Sequence, residues 1–328
     1  MFTLFRDEEV FSPEHVPDVF TYREPQMAAL QYCLTPALRK QRPVHALLVG
    51  RPATGKTTAL RIALQQLEDA SDAIPAHIHC ANATTYRILA DIHQRVVGFR
   101  PPETGVPLSR ATDAVFKKLG KRPLVVALDD VADITSISDA LYTLLRAHET
   151  YPAAKVGVLI ASTKNELHRL DERCRSSFSP EVIQFGSYTT QQIADILHRR
   201  AAAGLYPGAA PREVLELIAE SADDIRVALE MLRSAALKAE AAGKKHIGKE
   251  HVQAEQKKEA AENPLLKALR GGPMDSGMLY AKLKKTLSYS KFYRELRKLE
   301  AAGSITIKKI QKGKGKSRLI QLKNNYTA

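Results

Sequence analysis

The sequence predicts an α/β fold with a parallel sheet between two layers of helices, followed by a helical lid and a C-terminal winged helix. Three patterns support this prediction. Apolar runs typical of buried strands alternate with helical patterns up to residue 188. Between residues 189 and 262 the strand patterns stop and only helical patterns continue. From residue 263 onward the chain is strongly basic and ends in two strand-like runs.

The predicted elements alternate regularly along the first part of the chain. Strands are expected over 44–49, 76–80, 124–128, 156–160 and 182–185. Helices are expected over 24–39, 59–69, 84–97, 109–119, 136–150, 191–203 and 224–242. Because strands alternate with helices over most of this region, the strands should lie parallel, with helices covering both faces of the sheet.

The first strand pattern leads directly into a glycine-rich loop and then into a helical pattern. The loop reads Gly50-Arg51-Pro52-Ala53-Thr54-Gly55-Lys56-Thr57-Thr58. This strand–loop–helix context is the one a phosphate-binding P-loop requires, since backbone N–H groups and the helix N-terminus then face phosphate oxygens. Lys56 is expected to reach the β- and γ-phosphates, and the Thr57 hydroxyl to hold Mg²⁺. The motif therefore predicts binding of ATP or ADP with Mg²⁺.

A later buried strand pattern, 124–128, ends in the carboxylates of Asp129 and Asp130. The carboxyl ends of parallel strands are where α/β proteins place their ligand chemistry. Asp129 therefore suits the Walker B role of holding Mg²⁺, usually through water. Asp130 stands where a general base would polarise the attacking water. Ser162 and Thr163 end the next strand pattern, where a hydroxyl could sense the γ-phosphate.

Basic charge is concentrated at the C-terminal end of the chain. Residues 264–328 hold 16 Lys and Arg against 3 Asp and Glu, a net charge of +13, which equals the net charge of the whole chain. Residues 1–263 are therefore neutral overall. This asymmetry is typical of a domain that binds nucleic acid or another polyanion. A solubilising tail is the alternative, but the segment has apolar periodicity and should fold.

Three helical patterns and two strand patterns in this basic segment predict a winged helix. The third helical pattern groups Phe292, Leu296 and Leu299 on one face and basic side chains on the other. A recognition helix in a major groove has this character, and a Lys-Gly-Lys-Gly-Lys turn beside it would form a basic wing. The candidate DNA-binding residues are Lys291, Arg294, Arg297, Lys298, Lys312, Lys314, Lys316 and Arg318. For the helix taken alone, a solvated basic face is the alternative.

These patterns divide the chain into a nucleotide-binding α/β domain over 1–188, a helical lid over 189–262 and a winged-helix domain over 263–328. No apolar run reaches the length of a membrane span and the N-terminus lacks a signal-peptide pattern, so a cytoplasmic, nucleoid-associated protein is expected. Cys33, Cys80 and Cys174 lack metal or redox spacing and should be reduced and buried. His77 and His79 share a face of a probable strand. They are predicted to be structural, with a metal site as the alternative.

Further motifs resemble those of a known family. The chain is similar over nearly its full length to archaeal replication initiators of the origin-recognition-complex and cell-division-control type, within the AAA+ class of ATPases. The motifs that carry the resemblance are Val16-Pro17 with Arg23-Glu24, Asn82-x-x-Thr85-Tyr86-Arg87-Ile88, Leu170-Asp171-x-Arg173-x-Arg175-Ser176-Ser177, Phe185-x-x-Tyr188 and Asp224-Ile225-Arg226.

The resemblance implies an initiator that binds origin DNA through its winged helix and AAA+ module. ATP binding and slow hydrolysis would act as a switch for recruiting a replicative helicase, and the subunits would self-associate or assemble with related subunits on DNA. The resemblance places Val16, Pro17, Arg23 and Tyr188 among the nucleotide-binding residues. It makes Arg226 the sensor-two arginine of the lid.

The same resemblance assigns the arginine finger to the segment that holds Arg173 and Arg175. An arginine supplied to a neighbouring subunit's nucleotide would stabilise charge on the transferring phosphoryl oxygens. Surface ion pairing is the alternative reading of these two arginines.

The sequence departs from the family pattern at two positions that bear on hydrolysis. The family usually has Asp-Glu after the Walker B strand, whereas this chain has Asp129-Asp130. Since Asp130 is one methylene shorter than Glu, water should be positioned less well and turnover should be slow. The family's sensor-one asparagine is also not at the expected place, so Ser162, Thr163 or Asn165 must stand in. The winged helix is also shorter than is usual in the family.

Three other functions are compatible with the same residues. A ring-forming DNA translocase, such as a branch-migration ATPase, also joins an AAA+ module to a winged helix. A transposition helper ATPase has similar site chemistry. A transcription regulator could hold nucleotide for structure alone.

Overall fold

The computed structural model describes residues 3–81, 83–102, 107–252, 263–284, 286–301, 304–312 and 315–323. The chain divides into two compact units. The first is Phe5–Arg233, and the second is Ser234–Ala328 together with Met1–Leu4. The first unit thus holds the predicted α/β domain and the predicted lid as far as Arg233.

A five-stranded parallel sheet is the centre of the first unit. Its strands are β1 (Ala46–Gly50), β2 (Ile74–His79), β3 (Leu124–Val131), β4 (Val156–Ser162) and β5 (Glu181–Phe185). They lie in the order β2-β3-β4-β1-β5, and each pair is parallel. Because β4 lies between β1 and β3, the P-loop after β1 and the carboxylates at the end of β3 flank the end of β4 on one edge of the sheet.

Ten α-helices accompany these strands in the described part of the chain up to Ala241. They are α1 (Glu24–Leu38), α2 (Lys56–Ala70), α3 (Thr85–Val97), α4 (Leu108–Leu119), α5 (Ser138–Leu145), α6 (Ala147–Thr150), α7 (Glu172–Ser177), α8 (Thr190–Gly204), α9 (Arg212–Ser221) and α10 (Ile225–Ala241). The single helix predicted over 136–150 is instead a 3₁₀ turn, Ile134–Ile137, followed by α5 and α6. The boundary between the two units falls within α10.

Both faces of the sheet are buried, as the alternation of strands and helices predicts. Leu47 and Val49 of β1 pack with the core that includes α3, α4 and α5. Their neighbours Ala46 and Leu48 point to the opposite face, into the core formed with α1 and α2. Alternate strand residues necessarily face opposite sides of a sheet. The predicted three-layer α/β fold is therefore confirmed.

In the second unit, the described residues from 263 onward form a small antiparallel sheet with three helices. The helices are Pro264–Leu269, Ser276–Leu283 and Tyr289–Ala301, and the strands are β6 (Met274–Asp275), β7 (Ile305–Lys312) and β8 (Gly315–Leu322). The strand order is β6-β8-β7. Phe292, Leu296 and Leu299 are buried in its core, as the periodicity predicts. The order of elements matches the predicted winged helix, with the two-residue β6 as an addition.

Two further expectations concern single residues and hydropathy. Cys33, Cys80 and Cys174 are buried and are not disulfide-bonded. Within the described ranges, no helix combines the length and the hydropathy that crossing a bilayer requires.

A buried histidine supports the start of the sheet. His45 precedes β1, is 8% exposed, and accepts a hydrogen bond at Nδ1 from the Val158 N–H of β4 at 3.0 Å. Burial, with a smaller contribution from the nearby Arg42 guanidinium, lowers the pKa of His45 to about 4. The imidazole is therefore neutral in the folded chain at neutral pH, and protonating it would also remove the acceptor for Val158.

We expect His45 to make the first unit acid-labile. Since the unfolded histidine has a pKa of about 6.5, the unfolded chain binds more protons as pH falls, and stability present above pH 6.5 is lost toward pH 4. This one group should lower the free energy of unfolding by about 2 kcal/mol between pH 7 and pH 5. His45→Gln retains an acceptor without titrating, and urea denaturation should show a correspondingly flatter pH dependence. His168→Gln, at an exposed position, is the control, and an equal flattening in both variants would contradict the assignment.

Candidate functional site

A cavity of about 780 Å³ opens at the carboxyl edge of the parallel sheet. The P-loop, the ends of β2, β3 and β4, part of the N-terminal segment, and helices α8 and α10 form its wall. Its volume is in the range of small-ligand sites. The sequence-predicted residues that line it are Pro17, Pro52, Ala53, Thr54, Gly55, Lys56, Thr57, Thr58, Asp129, Asp130, Ser162, Thr163, Tyr188 and Arg226.

The remaining candidates are not among the lining residues of this cavity. They are Val16, Arg23, Gly50, Arg51, Arg173 and Arg175. Gly50 and Arg51 belong to the P-loop, and their carbonyl oxygens accept hydrogen bonds from Lys56. The other four residues lie elsewhere in the first unit.

The conformation of the P-loop explains its two glycines. Gly55 has φ of 90°, and a Cβ there would lie 2.9 Å from the Phe20 ring and 3.0 Å from the Tyr188 hydroxyl. A Cβ on Gly50 would lie 2.3 Å from the Phe185 carbonyl oxygen. Only glycine fits at either position. Helix α2 begins at Lys56, immediately after the loop, so the unpaired N–H groups of its first turn belong to the cavity wall.

Lys56 carries positive charge into a partly desolvated position. Its Nζ donates to the carbonyl oxygens of Gly50 at 2.7 Å and Arg51 at 2.8 Å. Burial lowers the pKa of Lys56, the Asp129 carboxylate opposes that shift, and the Arg226 guanidinium adds to it. An ammonium group in this position is stabilised by an anionic ligand, which fits the phosphates of a nucleotide.

Asp129 is the buried carboxylate of the site. Its Oδ1 accepts from the Thr57 hydroxyl at 3.2 Å and from the Asp130 N–H at 2.9 Å, and its Oδ2 accepts from His77 Nε2 at 3.1 Å. Burial would raise the pKa of Asp129, but the hydrogen bonds from His77 and Thr57 outweigh it and hold the pKa below its usual value. The carboxylate is therefore ionised, and it lies beside the Thr57 hydroxyl. Such paired oxygen donors suit Mg²⁺.

Asp130 differs from its neighbour in both backbone and exposure. The β3–β4 register shifts between Leu128 and Val131, and Asp130, within this irregular part of β3, has φ of 55°. Its side chain is 62% exposed, and its Oδ2 lies 3.9 Å from His79 Nε2. A carboxylate here is solvated and reaches less far than a glutamate would.

The contacts of His77 and His79 with the two carboxylates were missed by the sequence analysis. Both histidines line the cavity. The relevant signal was present, because β2 pairs with β3 so that His79 is opposite Asp129. The sequence alone does not show which strands pair, so this signal could be interpreted only with the structure. Across the described ranges, no cluster of three or more His, Cys, Asp and Glu side chains is arranged to hold a metal ion.

The three sensor-one candidates occupy different environments. Ser162 is buried, lines the cavity and donates its hydroxyl to the Val131 carbonyl oxygen at 2.9 Å. Thr163 also lines the cavity and is exposed. Asn165 is not among the lining residues, and its side chain accepts from the Leu167 N–H at 3.4 Å. Ser162 and Thr163 are therefore placed at the cavity, where a sensor-one residue is expected, whereas Asn165 is not.

Arg23, which the family resemblance places with the nucleotide, contacts the protein itself. It is 5% exposed and donates to the carbonyl oxygens of Thr54 at 3.0 Å, Tyr22 at 2.9 Å and Gly186 at 2.6 Å. Its guanidinium lies 3.9 Å from the centre of the Tyr188 ring. Arg23 therefore connects the P-loop to the segment that leads from β5 towards helix α8. In this structure it positions the loop and does not line the cavity.

The two candidate finger arginines lie on the short helix α7 and are exposed. Arg173 forms an ion pair with Asp171 at 2.9 Å, and its guanidinium lies 5.0 Å from the centre of the Tyr142 ring. Neither arginine lines the cavity of its own chain. This location is compatible with a role at a neighbouring subunit and equally with a surface ion pair.

The basic residues of the second unit lie where the helical periodicity predicts. Lys291, Arg294 and Arg297 are exposed on the helix Tyr289–Ala301, whose Phe292 and Leu296 are buried. Arg318 of β8 is exposed as well. Lys314 and the side chains of Lys298, Lys312 and Lys316 lie outside the described residues, although Lys312 and Lys316 belong to the backbone ladder of β7 and β8.

The fold is that of an AAA+ P-loop ATPase. Its sheet has the order β2-β3-β4-β1-β5, and one cavity is lined by the P-loop, by the acidic end of β3 and by Arg226 of α10. Family models agree: one described as an AAA ATPase domain matches residues 19–160. A second, described as a Cdc6 AAA+ ATPase-type lid domain, matches residues 194–257. The chain belongs to the family of ORC1-type DNA replication proteins, which confirms the resemblance found in the sequence.

Individual relatives show how far the similarity extends. ORC1-type DNA replication protein 2 of Methanothermobacter thermautotrophicus is 36% identical, over 97% of this chain and 92% of its own length. The Aeropyrum pernix ORC1 protein, solved in complex with DNA, has a TM-score of 0.69 at 26% identity, over 97% of this chain and 93% of its own. The Thermotoga maritima RuvB Holliday junction branch migration motor has a TM-score of 0.56 at 16% identity, covering 96% of each chain, and shares the fold alone.

We expect Arg23→Lys to destabilise the first unit by about 2–3 kcal/mol, because one ammonium nitrogen cannot reach the three carbonyl oxygens that Nε, Nη1 and Nη2 bond separately, and it cannot stack on Tyr188 as a planar group. Chemical denaturation followed by circular dichroism would measure the change. Arg39→Lys makes the same chemical change at an exposed position after α1 and should alter the free energy of unfolding by less than about 0.5 kcal/mol. Equal effects of the two substitutions would show that Arg23 has no special structural role.

Proposed function

We propose that this chain is an ATP-dependent replication initiator that binds origin DNA through its winged helix and AAA+ module. ATP binding and slow hydrolysis act as a switch for recruitment of the replicative helicase. The observation that carries this proposal is the shared cavity, in which Lys56 of the P-loop and Arg226 of helix α10 line one site. A ligand that contacts both residues links the sheet to the helix at which the second unit begins.

The binding roles follow from the chemistry of the side chains. Lys56 and the N–H groups of the loop and of the first turn of α2 bind the nucleotide phosphates. Thr57 and Asp129 hold Mg²⁺, which when bound neutralises part of the phosphate charge. Tyr188 and Pro17, which also line the cavity, provide apolar surface for the base. His77 keeps Asp129 oriented by its hydrogen bond, as partners of metal-binding carboxylates commonly do.

Hydrolysis should be slow because the chain holds the attacking water poorly. Asp130 is the residue placed to orient that water, and it is exposed, short and 3.9 Å from His79. Ser162 and Thr163 are the hydroxyl groups available to sense the terminal phosphate. The arginine finger would come from Arg173 or Arg175 of a neighbouring subunit, where the guanidinium stabilises charge on the phosphoryl oxygens. Such a site is suited to a switch that changes state rarely.

The DNA-binding part of the proposal has two supports. A relative of known structure, the Aeropyrum pernix ORC1 protein, was solved in complex with DNA. In this chain, Lys291, Arg294 and Arg297 form an exposed basic face opposite the buried face of one helix. Lys298, Lys312, Lys314, Lys316 and Arg318 would extend that basic surface. Phosphate contacts of this kind supply affinity and orientation with little sequence information.

The likeness to the RuvB motor keeps a DNA translocase as the alternative, although at 16% identity it concerns the fold alone. A translocase needs rapid, DNA-stimulated hydrolysis, and the geometry of Asp130 favours slow turnover. A rapid, DNA-stimulated turnover would therefore support the motor, whereas nucleotide-dependent DNA affinity with slow turnover supports the initiator.

We expect Lys56→Ala to reduce ATP and ADP affinity by at least about a hundredfold, since a charged hydrogen-bond donor to the phosphates is lost. The full-length variant should still bind duplex DNA at low salt, but its DNA affinity should no longer differ between ATP, ADP and no nucleotide. Fluorescence anisotropy measures both quantities. Lys117→Ala, at an exposed position of α4, should retain nucleotide binding.

Two results of this experiment would contradict the proposal. Nucleotide affinity unchanged in the Lys56 variant would remove the P-loop assignment. A wild-type protein whose DNA affinity is the same in ATP and ADP would remove the switch, while leaving nucleotide and DNA binding in place.

A further inference from the structure

The basic helix of the second unit carries an aromatic cluster that the proposed phosphate contacts do not use. Tyr289 begins this helix, and its ring centre lies 4.8 Å from that of Tyr293 and 5.2 Å from that of Tyr280. Phe292 lies beneath them, 5.2 Å from both Tyr280 and Tyr293. Phe292 is fully buried, whereas Tyr289 is 59% exposed. The cluster thus extends from the core to the surface.

The two tyrosines of the helix lie next to its basic face. Tyr289, Tyr293 and Arg297 are spaced four residues apart and form a continuous row along the helix. At 100° per residue, this row lies between the buried face of Phe292 and the face of Arg294 and Lys291. The exposed aromatic surface therefore adjoins the side chains proposed to contact phosphates.

A basic side chain from outside this helix, Arg318 of β8, lies near the aromatic cluster. A hydrogen bond with Tyr293 raises the pKa of Tyr289, and the positive charge of Arg318 opposes that shift. Arg318 is exposed, and it is near enough to Tyr289 for its positive charge to favour the ionised phenol. A tyrosine ring that is more than half exposed and lies near the positive charge of Arg318 suits a polyanion that also offers apolar surface.

We propose, building on the DNA-binding function proposed above, that Tyr289 and Tyr293 contact the sugar and base edges of duplex DNA beside the phosphates held by the basic side chains. The charge of the surroundings selects DNA over an apolar protein partner, since residues 264–328 carry a net charge of +13. The ring of a tyrosine can pack on deoxyribose and thymine methyl groups, and its hydroxyl can donate to a phosphate oxygen.

This contact differs from the basic ones in how it depends on salt. Each lysine or arginine that neutralises a phosphate releases counterions, so its contribution to affinity falls steeply as salt rises. Packing of an aromatic ring releases no counterions. The tyrosines therefore supply a part of the DNA affinity that persists at higher salt, and they add apolar discrimination to a surface otherwise limited to charge.

The test measures the affinity of full-length variants for a labelled AT-rich duplex between about 50 and 200 mM salt. Tyr289→Ala should weaken binding about tenfold at every salt concentration with an unchanged slope of log affinity against log salt. Lys291→Ala should reduce that slope by about 1. Tyr289→Phe retains the ring and should preserve most of the affinity. Tyr206→Ala removes a tyrosine that is 51% exposed in the first unit and should change nothing.

A second substitution separates DNA contact from folding. Tyr289→Leu keeps an apolar side chain beside the Tyr280 and Tyr293 rings, so its thermal unfolding should match the wild type while its DNA affinity falls. Wild-type affinity in both Tyr289→Ala and Tyr289→Leu at all salt concentrations would overturn the aromatic contact alone. A wild-type protein that fails to bind the duplex at about 50 mM salt would instead overturn the DNA-binding function on which it rests.

Discussion

The candidate site depends on keeping one buried carboxylate ionised at the edge of a parallel sheet. Asp129 is 4% exposed, and three donors from different parts of the chain hold it: the Thr57 hydroxyl, His77 Nε2 and the Asp130 N–H. An ionised group without such partners would be costly to bury. The donors meet at Asp129 because β3 pairs with β2, which carries His77, and is separated only by β4 from β1, which leads into the P-loop and Thr57. The sheet order therefore brings the P-loop threonine and the acidic end of β3 into hydrogen-bond contact.

Two arginines relate this site to the part of the chain that follows the sheet, and they do so by different means. Arg23 is buried and bonds backbone oxygens of the P-loop and of Gly186, so its position is set by the protein alone. Arg226 is exposed within the cavity, and its position can respond to a bound ligand. A ligand that contacts Arg226 more favourably in one of two states would shift the equilibrium towards that state, which is what the proposed nucleotide switch needs. The slow chemistry expected of Asp130 would prolong each state.

The parts of the molecule that could be predicted from sequence are those encoded by contiguous or periodic patterns. The P-loop residues occur in one uninterrupted motif, and Asp129 ends an unbroken apolar run, so both could be assigned without a structure. The burial of Phe292 follows from helical periodicity in the same way. The hydrogen bond from His77 could not be assigned, because it depends on which strands pair and in what register. The contacts of Arg23 could not either, since its three acceptor carbonyls come from separate parts of the chain.

A genome-wide map of where the protein is crosslinked to the DNA of its own cells tests the central claim most directly. An initiator that reads particular sites through its winged helix and AAA+ module should give a few sharp peaks over repeated elements in AT-rich intergenic DNA. Peaks at many promoters would indicate a transcription regulator that holds nucleotide for structure. Diffuse occupancy across the genome would contradict site-specific initiation and would favour a motor or a helper ATPase.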